Sequence, residues 1–60
     1  MMRASNMENI FYTVMKIDGD YAHLLADNSA ETMLVARALL PFEIDENTRL
    51  LYKDYEYLIM

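Results

Sequence analysis

Apolar positions occur along this chain in short bursts, and each burst ends in residues that favour turns. The first runs from Ile10 to Ile17 and contains Ile10, Phe11, Tyr12, Thr13, Val14 and Ile17. β-Branched and aromatic residues dominate it, which is the composition of a strand. Its two alternating sets are Phe11, Thr13, Met15, Ile17 and Ile10, Tyr12, Val14, Lys16. Both are partly apolar, so alternation alone does not choose the buried face. Asp18-Gly19-Asp20 follows, and Asp-Gly between two apolar runs is a strong hairpin signal. Gly19 is the single glycine of the chain, and it reaches φ > 0 without a Cβ clash. The second strand is Tyr21 to Ala26, with Ala22, Leu24 and Ala26 on one face and Tyr21, His23 and Leu25 on the other. Asp27, Asn28 and Ser29 form the next turn cluster, so the first three strands are expected to make a meander.

From Ala30 to Leu40 the pattern supports two readings. Thr32, Met33, Leu34 and Val35 fit a third strand, whereas Ala36 to Leu40 has helical propensity. One helix capped by Ser29 is the alternative, but Thr32 occupies the position where a capping box needs Glu or Gln. The preferred reading is a strand to about Ala36 and then a short helical turn closed by Pro41, which biases Leu40 out of the α region. Phe42 to Asn47 is a connector. Thr48 to Lys53 forms a fourth strand, Asp54 and Tyr55 a short turn, and Glu56 to Met60 a fifth strand.

Five short strands with tight turns predict a mainly β fold: a small curved sheet or a partly open SH3-like or OB-like barrel, with one helical turn before Pro41. Curling gives a small sheet a single interior. Ile17, Ala22, Leu24, Leu34, Leu39, Leu40, Leu50 and Leu58 are the expected core. Residues 1–8 are expected to be a flexible leader, with Met7 a second candidate start of translation, and residues 9–60 a single β domain.

Composition narrows the picture. A chain of 60 residues makes one domain and buries only ~60% of its unfolded surface. Hydrophobic residues make up 55% of it, which separates it from the disordered class. It has no cysteine, so neither a disulfide scaffold nor a thiolate metal site can form, and a reducing, cytoplasmic setting is favoured. The formal net charge of −5 opposes phosphate backbones and anionic membrane surfaces.

At Ile17-Asp18-Gly19-Asp20-Tyr21-Ala22-His23-Leu24 and again at Ala38-Leu39-Leu40-Pro41 the chain resembles a family of very short bacterial proteins of unknown function. That family has a Gly-Asp-Tyr-Ala turn and strand, a Leu-Leu-Pro element, and an acidic turn before a last hairpin. The resemblance covers roughly Val14 to Leu51. It places Asn47, within Asp45-Glu46-Asn47-Thr48, where the family carries glycine, and Asn is the best substitute at a left-handed position. It implies a compact β-rich domain and no activity.

Several residues carry side chains capable of chemistry. His23, the one histidine, lies near Asp18 and Asp20, and a His–Asp pair can serve as a general base. No nucleophile is placed beside it, so the simpler reading is a histidine on a surface or interface. Asp18-Gly19-Asp20 has the look of a calcium loop but lacks the spread of ligands and the closing Glu. Tyr12, Phe42, Tyr52, Tyr55 and Tyr57 interleave with Arg49 and Lys53, as on a platform for single-stranded nucleic acid. Asp54 and Glu56 lie among them and oppose that use. Asp45, Glu46, Asp54 and Glu56 are read as a solvated face, with mimicry of nucleic-acid charge the minor alternative.

The expectation is therefore a non-enzymatic protein-binding module without cofactor or metal, its partners including a second copy of itself. Its candidate interaction surface is Tyr12, His23, Tyr52, Tyr55 and Tyr57. The first and last strands carry few charges and are expected to be the edges that pair across a two-fold axis. A nucleic-acid-binding module of OB or SH3-like type is the alternative.

Overall fold

Residues 9–60 are described by a computed structural model; the expected leader at residues 1–8, with its second start at Met7, lies outside the described residues. Five antiparallel strands form one sheet: β1 (Ile10–Asp18), β2 (Tyr21–Ala26), β3 (Thr32–Ala36), β4 (Arg49–Lys53) and β5 (Glu56–Ile59). A 3-10 turn at Arg37–Leu39 stands directly before Leu40 and Pro41. The mainly β reading and the strand-then-turn reading of the third segment both hold. The strand order is β3-β2-β1-β4-β5. The sheet is not closed into a barrel: β3 and β5 are its two edges and do not pair with each other.

That order corrects one expectation. β1 is the central strand, paired with β2 on one side and β4 on the other, so it offers no free edge. A first strand of nine residues, paired to its hairpin partner β2 on one side and to the distant β4 on the other, is the spine of this small sheet.

The ambiguity of β1 has a physical cause. Register runs Val14↔Leu24 and then Lys16↔His23, so Met15 is an unpaired bulge residue. A bulge shifts the alternation by one. Ile10, Tyr12 and Val14 point inward before it, and Ile17, opposite the buried Ala22, points inward after it. Neither alternating set read from the sequence is therefore the buried one.

The core comprises Tyr12, Val14, Ala22, Leu24, Val35, Leu40, Ile44 and Leu50. Ala22, Leu24, Leu40 and Leu50 were expected, and Ile17 packs against them half-buried. Leu34, Leu39 and Leu58 were also expected but are 59%, 68% and 41% exposed. Leu34 and Leu58 lie on the opposite face of the edge strands, and Leu39 turns outward in the 3-10 turn. Their places are taken by Tyr12, Val14, Val35 and Ile44. The connector from β3 to β4 must cross from an edge to the far side of β1, and its Leu40 and Ile44 enter the core as it crosses. It is tied down by Asn47 N–H to the Val14 carbonyl at 2.7 Å and Val14 N–H to the Thr48 carbonyl at 2.9 Å.

Candidate functional site

Three of the five expected surface residues come together. Tyr52 and Tyr57 face each other across β4 and β5. Met60 N–H donates to the Arg49 carbonyl, and by antiparallel alternation this makes Tyr52–Tyr57 a non-hydrogen-bonded pair, the kind in which side chains approach most closely. Their ring centroids are 4.7 Å apart, with an interplanar angle of 51°. Tyr12 of β1 adds a second tilted contact to Tyr57 at 5.8 Å and 59°. Such tilted pairs contribute ~0.5–1.5 kcal/mol beyond burial. Tyr12 is buried while Tyr52 and Tyr57 are half-buried, so the cluster is a wall of the core with a wet rim. Burial, and then the neighbouring Tyr52, push the Tyr12 hydroxyl above its ordinary pKa; burial, then Tyr12 and Tyr52, do the same to Tyr57.

The other two residues stand apart. His23 lies on the outer face of β2, half-buried and opposite Lys16 and Leu34. Tyr55 is at the tip of the β4–β5 hairpin, 91% exposed. It sits at φ 68°, beside Asp54 at φ 53°, and two consecutive positive φ values mark a type I′ turn. Glycine is the usual occupant of that position; tyrosine pays a steric penalty there.

The outer face also holds a contact that no spacing in the sequence signals. Arg49 of β4 reaches Asp27 with both terminal nitrogens, at 2.7 and 2.8 Å, and donates to the Thr13 hydroxyl at 2.8 Å. The hydrogen bonds from Arg49 lower the Asp27 pKa and the carboxylate raises that of Arg49. Phe42, in the connector after Pro41, is 90% exposed. Neither residue type nor position distinguishes it in the sequence from an aromatic that fills the core.

The described residues line shallow, open grooves at the surface. One of about 160 Å³ is lined by Asn9, Ile10, Phe11, Asp27 and Asn28. Another, of about 340 Å³, is lined by Gly19, Asp20, Arg37, Ala38, Pro41 and Phe42. Among the described residues no group of three or more His, Asp or Glu side chains is placed to hold a metal ion, and no helix is long and apolar enough to cross a membrane. No family model, curated protein or solved structure matches this chain.

Proposed function

We propose that this chain is a small non-enzymatic, cytoplasmic module that binds protein, a second copy of itself among its partners. One observation carries the reading. A domain that needs nearly all its apolar surface inside nevertheless leaves Phe42, Tyr55, Leu39 and Leu34 outside. Phe42 and Tyr55, about nine-tenths exposed, offer large aromatic anchors to a partner, and aromatic residues are enriched at protein interfaces. Tyr55 adds weight, since a strained backbone is held at an exposed aromatic, where nothing in the core requires it. The cysteine-free composition fits a reducing compartment. Against nucleic acid stands the use of Arg49 by Asp27. Arg37 follows β3 and Lys53 ends β4, with β2 and β1 between.

The test is capture of partners by the immobilised protein from lysate of its source cells, with Tyr55→Ala and Phe42→Ala as comparisons. A discrete protein whose recovery falls about tenfold with either variant, the loss typical of an interface anchor, is the expected result. Equal recovery by all three proteins would remove this surface. Tight binding of single-stranded oligonucleotides with steep salt dependence would replace the reading with nucleic-acid binding.

A further inference from the structure

The backbone of β3 faces open space in a specific way. Arg37 N–H donates to the Asp20 carbonyl at 2.8 Å, and the register pairs Tyr21 with Ala36 and Ala22 with Val35. Hydrogen-bonded and non-bonded pairs alternate along an antiparallel ladder. Val35 and Met33 therefore bond to β2, while the N–H and C=O groups of Thr32, Leu34 and Ala36 point away from the sheet. Of the devices that usually block strand addition, this edge lacks the charge, the proline and the bulge, and only its shortness of five residues works against pairing. It has no charge and no proline from Thr32 to Ala36, and Met33 and Leu34 are exposed on it.

The flanking charges decide what the edge fits. Glu31 lies three residues before Leu34 and Arg37 three residues after it. Two copies of β3 paired antiparallel about a two-fold axis through Leu34 place Leu34 opposite Leu34, Thr32 opposite Ala36 and Met33 opposite Val35. The same operation brings Glu31, in the bend just before β3, to the side of Arg37, the first residue of the 3-10 turn, in the other copy, twice. The outward Thr32, Leu34 and Ala36 backbone groups then fall in hydrogen-bonded pairs. Edge β5 has no such self-complementarity: the two-fold through Leu58 sets Glu56 against Met60.

We propose that the chain self-associates through β3, joining two five-stranded sheets into one continuous antiparallel sheet, with Glu31–Arg37 pairs fixing the register. This rests on the reading that the chain binds protein, and names a second copy as the occupant of this edge. A single-edge contact belongs to the small, weak class of interfaces, so association is sought by sedimentation equilibrium from roughly 10 to 500 µM. The unaltered chain is expected to pass from monomer to dimer across that range.

Glu31→Arg alone and Arg37→Glu alone each set like charges opposite one another and are expected to weaken association at least about tenfold, the scale of a like-charge clash at an interface. A one-to-one mixture of the two variants restores opposite charges on both sides of the axis and is expected to regain the dimer, as is the double variant Glu31→Arg/Arg37→Glu. Leu34→Lys places two cations on the axis and is expected to stay monomeric, with an unchanged thermal melt because the side chain is exposed. A monomer at all concentrations, or a dimer that survives Leu34→Lys and is lost with Leu58→Lys, overturns the proposal. A monomer that still captures another protein through Tyr55 or Phe42 overturns this interface while leaving the protein-binding reading in place.

Discussion

Single residues set the turns. Gly19 has φ 63°, and a Cβ built there would meet nothing within 4 Å. The demand for glycine is thus one of backbone conformation and not of space. Gly19→Ala is expected to destabilise the fold by about 1–2 kcal/mol, the cost of a left-handed L-residue, measured as a drop in the urea midpoint. Asn47 sits at φ 73°, the left-handed place that the resemblance assigns it, with Thr48 N–H closing the turn on the Asp45 carbonyl. Positive φ at the third position is the signature of a type II turn. Tyr55 is the opposite case, a residue whose side chain works against its own backbone. Tyr55→Gly is expected to stabilise the domain by about 1 kcal/mol while reducing partner capture in the same preparation. A stability loss instead would show that the ring packs rather than waits for a partner.

Strands and connector fix which side chains count. In β2 the inward set Ala22, Leu24 and Ala26 is legible from the sequence, because the strand itself is regular and the extra residue lies in its partner β1. In β1 it is not, since the bulge at Met15 exchanges the two faces midway. The edge strands mislead in another manner: Leu34 and Leu58 are as apolar as any core residue, yet they lie on the face that the connector does not cover. Leu24→Ala and Leu50→Ala are therefore expected to cost about 2–5 kcal/mol each, close to the ~3–5 kcal/mol that a core in a domain of this size supplies. Leu39→Ala should stay within about 0.5 kcal/mol, as for surface substitutions. Thermal melts of the three variants check the contrast, and equal losses would mean that Leu39 is part of the core.

For the molecule as a whole, the open sheet with one covered face ties stability to pH at both extremes. Tyr12 and Tyr57 hold their protons more tightly when folded, because burial disfavours the phenolate. Their contribution is complete below the ordinary tyrosine pKa of about 10 and is lost as pH rises through their raised values. Asp27 is lowered by Arg49; its contribution is present above the ordinary aspartate value of about 3.9 and is lost as pH falls through the lowered one. Urea midpoints should thus decline on the alkaline side, and Tyr57→Phe should make that decline shallower; an unchanged slope would mean that the aromatic cluster is as wet as the unfolded chain. The sequence by itself determined the strands, the hairpin at Gly19, the short turn before Pro41 and the lack of thiol chemistry. Each of these depends on neighbours a few residues away, and local conformational preference is enough to write them. Only the tertiary structure decided the central place of β1, the face to be buried, the Tyr12–Tyr52–Tyr57 wall, the Arg49–Asp27 pair and the freedom of the β3 edge. Those depend on which strands meet, and in so small a domain the path of one connector over one face of the sheet settles what is covered and what stays open.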